Sequence, residues 1–383
     1  MPFKVMMVFG TRPEAIKMAP LARALRHWPG IELYICSTGQ HREMLKQVLD
    51  SFELKVDVDL QVMTQAQTLN GLSQQLLIHL DTCYERLQPD IVLVHGDTTT
   101  SFIAALAAFN RQLPIAHVEA GLRTGNLRAP WPEEANRRLT GVIADLHFAP
   151  TAKCEANLLR ENVPGENIEV TGNTVIDALL WMRTHQQQTH WRPAADSPLA
   201  MLDDNRRMVL ITGHRRENFG EGFRNICQAL ATLAQHYPQV QFVYPVHLNP
   251  HVQNAVYGLL SNQPNIYLVA PQDYQHFVWL MSRSYLILSD SGGIQEEAPA
   301  IGKPLLVLRE VTERPLALEG GTVLLVGTDR ERIVRHVSEL LDDAQLHARM
   351  SRVHSPYGDG HASERIARRL STWLEAQALR DPS

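Results

Sequence analysis

Short apolar runs alternate along this chain with stretches whose hydrophobic residues recur at helical spacing. In the first half the runs fall at 5–9, 32–36, 91–94, 114–118, 146–149 and 168–170, and they read as strands. Helical patterns lie at 13–25, with Pro20 a candidate kink, at 42–49 and at 99–109. Strand–helix alternation of this kind argues for a parallel sheet covered on both faces. From 185 to 207 the pattern dissolves into Gln, Pro, Asp and Asn. It then restarts, with runs at 208–211, 241–244, 266–268, 285–288, 305–308 and 322–326 and a helix from about residue 223. The tail at 362–374 sets Ile366, Leu370 and Leu374 on one helical face, which can pack on either half. Two doubly wound α/β domains, joined between about 172 and 207, are the economical reading.

Length supports that division, because 383 residues exceed one typical core. A net charge of -5 leaves no basic field for nucleic acid, so that partner is not expected. Basic residues cluster locally instead, as in His214-Arg215-Arg216, which suits a small anion. Cys36, Cys83, Cys154 and Cys227 are far apart and lack ligand-like spacing, as thiols in a reducing compartment do. No secretory leader opens the chain, and no run reaches the ~18 apolar residues of a membrane span. A cytoplasmic protein without a membrane partner is the expectation.

Ligands of doubly wound sheets bind at the carboxyl ends of strands. Polar turns hang from several of these ends. Gly10-Thr11-Arg12-Pro13-Glu14 follows the first run, His95-Gly96-Asp97-Thr98 the run at 91–94, and His117-Val118-Glu119-Ala120-Gly121 the run at 114–118. In the second half, Thr212-Gly213-His214-Arg215-Arg216-Glu217 and Asp290-Ser291-Gly292-Gly293 play the same part. The last of these passes into a helix, where glycines admit a close ligand and free N–H groups favour an anion. Glu296 and Glu297 are expected in that helix's first turn, where a carboxylate can take two sugar hydroxyls.

Each candidate has a plainer alternative. Arg12 suits a phosphate, with Lys17 about one turn on, or it pairs on the surface with Glu14. Asp97 is a reactive acid or the N-cap of its helix. Glu119 ends a strand and has no such second role. The acids of Trp131-Pro132-Glu133-Glu134 do chemistry or answer a helix dipole. His214 lies in an exposed anion site or is a core histidine. Cations from both halves and acids from the first suit a nucleotide diphosphate joined to a sugar. No GxGxxG, Walker A, HExxH or metal-ligand spacing is present.

The motifs GTRPEAIKMAP (10–20), QHREML (40–45), VLVHGDTTT (92–100), HVEAGLRTG (117–125) and PWPEEANR (130–137) narrow this further. TGNTVIDAL (171–179), GHRREN (213–218), VYPVHLNP (243–250), SDSGGIQEEAP (289–299), TERP (312–315) and PYGDG (356–360) continue the series. End to end, the chain resembles the non-hydrolysing UDP-N-acetylglucosamine 2-epimerases of bacterial polysaccharide pathways. Related hydrolysing enzymes share some of these motifs.

The resemblance implies the glycosyltransferase-B architecture: Rossmann-like domains over 1–172 and 173–360, a deep interdomain cleft, and a last helix at about 361–380 packed back on the first domain. It implies interconversion of UDP-GlcNAc and UDP-ManNAc by elimination of UDP to 2-acetamidoglucal and re-addition, with neither NAD nor metal. Asp97, Glu119 and Glu133 match the family's catalytic acids. His214 is placed with them and also at the diphosphate, together with Arg12, Lys17, Ser291, Gly292 and Gly293. Glu297 matches the ribose contact, and Gln272, Phe277 and Arg314 the uracil end, although Phe277 can equally be core. Gln40, His41 and Glu43 fall where a second UDP-GlcNAc binds as allosteric activator. Gln75 replaces a commonly basic residue there, and Leu316 a common Glu. The implied partner is a second copy of the chain, in a homodimer. A hydrolysing epimerase, a retaining glycosyltransferase and a catalytically silent sugar-nucleotide sensor are the alternatives.

Overall fold

The structure is a computed structural model and describes residues 2–39, 42–63, 67–312 and 314–380. It divides into two compact units, Met1–Trp181 with Tyr357–Ser383, and Met182–Pro356.

The first unit holds strands β1 (Phe3–Phe9), β2 (Ile31–Ser37), β3 (Val58–Asp59), β4 (Ile91–His95), β5 (Ile115–Val118), β6 (Leu146–Ala149) and β7 (Ile168–Val170). They form one parallel sheet in the order β3-β2-β1-β4-β5-β6-β7. Val5 to Phe9 and Ile91 to Val94 are 0% exposed, the continuous burial of strands covered on both faces. The strand order reverses between β1 and β4. The loops after those strands flank the crevice that such a reversal opens.

The second unit repeats the plan with β8 (Met208–Thr212), β9 (Gln241–Pro245), β10 (Ile266–Val269), β11 (Leu286–Ser289), β12 (Leu305–Val307) and β13 (Val323–Leu325). Its parallel order is β10-β9-β8-β11-β12-β13, reversing between β8 and β11. Thr212 and Ser289 end these two strands in register, which sets the turns after them side by side.

Several elements differ from the expected pattern. The helix Leu69–Leu87 and the two-residue edge strand β3 were not anticipated. The helix Thr174–Gln188 continues past residue 185. Pro20 lies buried within the continuous helix Arg12–Arg26, whose start is anchored by a capping box of Thr11 and Glu14. The closing helix Ala362–Arg380 packs on Arg12–Arg26 through the face of Ile366, Leu370 and Leu374. Among the described residues, no helix is long and apolar enough to cross a membrane.

Candidate active site

In the first unit the loop after β1 is stapled to the loop after β4 by one buried acid. Glu14, 2% exposed, accepts from the backbone N–H groups of Gly10 (3.1 Å) and Thr11 (2.8 Å). Its other oxygen accepts from Thr98 Oγ1 (2.7 Å) and Ser101 Oγ (2.8 Å). Glu14 is therefore an interior fastener, and not the surface partner of Arg12 weighed above. Arg12 stands at the first helical position, half-exposed.

The helix Thr99–Asn110 is capped by Thr98, whose Oγ1 accepts from Ser101 N at 3.0 Å. Asp97 is thus relieved of the N-cap role. Its carboxylate instead accepts from Arg137 Nη2 at 2.5 Å, while Asn136 Nδ2 donates to its carbonyl at 3.0 Å. Burial raises the Asp97 carboxyl above its ordinary value, and the Glu119 charge adds to this; Arg137 and Lys17 oppose it.

Glu119 follows β5 in the left-handed region, with φ of 61°. A non-glycine residue is held there only when its surroundings insist. Lys17 Nζ donates to its Oε2 at 2.5 Å, and Asn173 Nδ2 to the same oxygen at 2.9 Å. Lys17 therefore engages an acid. Two residues on, Gly121 has φ of 88°, and a Cβ there would lie 2.3 Å from the Cys154 carbonyl oxygen. Only glycine lets the chain leave Glu119 along this path.

The adjacent acids Glu133 and Glu134 separate. Glu134 is 0% exposed and accepts from the N–H groups of Thr124 (3.0 Å) and Gly125 (3.2 Å), shaping the loop. Glu133 opens the helix Glu133–Ile143, and its carboxylate has no hydrogen-bond or ion-pair partner among the described residues. Arg137, which grips Asp97, lies one turn further along the same helix.

The second unit is organised by Asp290, which is 0% exposed. It accepts from the N–H groups of His214 (2.9 Å) and Arg215 (2.9 Å) and from Asn218 Nδ2 (3.2 Å). It is the fastener of the 213–218 turn. The His214 side chain remains 39% exposed, stacks on His247 with centroids 5.3 Å apart, and is no core histidine. Burial lowers its basicity, Arg215 and His247 adding to this and Asp290 opposing it.

Ser291 occupies the N-cap of the helix Gly292–Ala300 without capping it by its side chain. Neither Gly292 nor Gly293 has positive φ, and a Cβ on either would make only ordinary contacts at 3.6 Å or more. The bare backbone thus leaves space and N–H groups for an anion. Arg215 Nη2 would lie 3.6 Å from a Cβ at Gly292.

Glu296 and Glu297 fall in the second turn, not the first, because the helix starts at Gly292. Glu297 is 7% exposed and accepts from Tyr274 Oη at 3.3 Å. Glu296 accepts from Arg314 Nε, and Gln295 from Thr312 Oγ1, so this helix holds the segment that carries Arg314. Gln272 donates to the Ala270 carbonyl at 2.7 Å. Phe277 is half-buried.

The first unit thus brings Lys17, Asp97 and Glu119 together, and the second brings His214 beside the Ser291-Gly292-Gly293 turn. Gln40 and His41 lie outside the described residues, as does the side chain of Glu43. Asn173, Arg137, Arg215 and His95 were not anticipated as site residues. All four sit inside motifs quoted above; Asn173, for example, belongs to TGNTVIDAL and His95 to VLVHGDTTT.

Both units are doubly wound parallel sheets, and together they define the α/β class of glycosyltransferase-B proteins. Residues 23–371 match the family model described as UDP-N-acetylglucosamine 2-epimerase. The chain is 55% identical over 368 residues to the UDP-N-acetylglucosamine 2-epimerase of Yersinia pestis, covering 96% of this chain and 98% of that one. To the enzyme of that name from Escherichia coli K12 it is 54% identical over 370 residues, covering 96% and 98%. The crystal structure of UDP-GlcNAc 2-epimerase from Neisseria meningitidis, bound to UDP-GlcNAc, matches with a TM-score of 0.88 at 49% identity, over 97% of this chain and 100% of that one. The chain belongs to the UDP-N-acetylglucosamine 2-epimerase family.

Proposed function

We propose that this protein interconverts UDP-GlcNAc and UDP-ManNAc without hydrolysis, supplying ManNAc units for bacterial surface polysaccharide. The observation that carries this reading is Glu119, forced into left-handed backbone at a strand end, gripped by Lys17 and Asn173, and electrostatically coupled to Asp97. C2 of the sugar has no neighbouring carbonyl, so proton abstraction alone would leave an unstabilised carbanion. Expelling UDP as the C2 proton leaves places that electron pair in a C1=C2 bond, giving 2-acetamidoglucal. Re-addition of UDP with protonation from the opposite face inverts C2. This scheme asks for acid/base groups and a stabilised leaving group, and it needs neither nicotinamide nor metal.

In this reading Asp97, Glu119 and Glu133 move the protons. Arg12, Lys17, His214 and the Ser291-Gly292-Gly293 turn take the diphosphate, Glu297 the ribose, and Gln272, Phe277 and Arg314 the uracil end. A second UDP-GlcNAc acts as an activator at 40–43. Ile78, Phe109 and Val142, exposed at 52%, 54% and 80% on three helices packed in series, support a homodimer.

The test is incubation with UDP-GlcNAc alone in D2O. UDP-ManNAc with deuterium at C2 is the expected product. Free ManNAc and UDP would assign the protein to the hydrolysing enzymes. An unchanged substrate would favour a transferase or a sensor.

A further inference from the structure

His95 ends β4 and is 3% exposed. Its Nε2 is buried without a hydrogen-bond partner among the described residues and lies 3.8 Å from Glu119 Oε2, the oxygen that already receives Lys17 and Asn173. An orphaned buried ring nitrogen costs stability unless something uses it. A neutral ring with its proton on Nδ1 carries a lone pair on Nε2. Burial lowers the imidazole to about 4, with Glu119 opposing this and Lys17 adding to it, so the ring is neutral near pH 7. A bare nitrogen facing a carboxylate gains nothing. The same nitrogen facing a carboxylic acid accepts its proton in a hydrogen bond.

We propose that His95 is a positioning residue for Glu119, accepting a hydrogen bond from Oε2–H whenever Glu119 carries a proton. This inference rests on the base role given to Glu119 above. The C2–H bond breaks, an O–H bond forms on Oε2, and the electron pair of C2–H enters C1=C2 as UDP departs. Lys17 and Asn173 stabilise the carboxylate before that step, and His95 the acid after it. Closing the contact needs a movement of roughly 1 Å. The groups around this pair are Lys17 and Glu14 from the helix Arg12–Arg26, Asp97 with its partner Arg137, and His117 on β5. His117 is itself neutral, and its Nε2 lies 2.7 Å from the Gly96 carbonyl oxygen.

The test reads protonation, not turnover. In the full-length ligand-free protein, the Glu119 carboxyl carbon is titrated by 13C NMR while 15N NMR follows His95. In the wild type, Nε2 should shift as Glu119 protonates, with the ring remaining neutral. In His95→Leu the Glu119 midpoint should fall by about one pH unit, a roughly tenfold loss of proton affinity. His95→Gln, whose amide oxygen can accept, should recover most of it. An Nε2 resonance blind to Glu119, or a midpoint in His95→Leu that is unchanged or raised, would overturn the proposal; the wild-type arm decides if the variant does not fold. Glu119→Gln that still turns over would remove the base role while leaving the contact standing.

Discussion

The ammonium of Lys17 stands 2.5 Å from Glu119 Oε2, and the backbone beneath that carboxylate is left-handed. Strain and ion pair therefore meet at one residue, and they can be measured apart. Glu119→Ala and Glu119→Gly both delete the carboxylate, but only alanine must hold positive φ. Glu119→Gly should be the more stable of the two by about 1 kcal/mol in urea unfolding. Equal stability would show that the backbone relaxes once the ion pair is gone.

Two glycines should respond in opposite ways. A Cβ at Gly121 meets the Cys154 carbonyl oxygen at 2.3 Å on a backbone with φ of 88°, so Gly121→Ala should destabilise by about 2–4 kcal/mol. A Cβ at Gly293 meets nothing closer than 3.8 Å, so Gly293→Ala should change stability by no more than about 0.5 kcal/mol. It should nonetheless weaken UDP binding tenfold or more in calorimetry, because the lost space is the anion's. Unchanged UDP affinity would move the diphosphate away from this turn.

Stability should fall in mild acid. Burial, as the leading cause, lowers His95 to about 4, His117 to about 3 and His147 to about 4. Below the ordinary value near 6.5 the unfolded chain binds protons that the folded chain refuses. Stability contributed by these histidines is thus full above that value and is lost as pH falls toward the folded values. Each adds up to about 1.4 kcal/mol per pH unit across the window. The raised carboxyls of Asp97, Asp145 and Asp177 work in the opposite direction as pH falls into the carboxylate range, at the acid end of this window. Urea unfolding at several pH values between about 6.5 and 4 should show the decline. His147→Gln should reduce its slope. A flat profile would mean that the rings are protonated or hydrated in the folded protein.

Much of this architecture can be read from apolar runs, because a strand covered on both faces leaves an uninterrupted signal. The runs at 5–9, 91–94 and 208–211 all lie within observed strands. β3, two residues long at an edge, carries too little signal. The helix Leu69–Leu87 did carry one, in Leu72, Leu76 and Leu80 four residues apart on its buried face. Of the site, sequence shows which acids end strands but not what each acid touches. Glu133 and Glu134 are neighbours in one helix, yet one builds a loop and the other has no partner among the described residues. Asp290 reads as a ligand group, and its burial beneath two backbone N–H donors makes it a fastener. His95 and Asn173 acquire their place only when residues 24 and 54 positions from Glu119 pack against it.

Glu119 is the proton-transfer group at C2 in the proposed reaction. The most direct measurement follows solvent deuterium entering C2 of UDP-GlcNAc by 1H NMR, with wild type and Glu119→Gln side by side. UDP affinity is measured on the same preparations. Loss of a positioned acid/base group typically costs ~10²–10⁴-fold. The prediction is wash-in by the wild type, at least about a hundredfold slower wash-in by the variant, and UDP affinity within a few-fold. Wash-in by Glu119→Gln at the wild-type rate would contradict it.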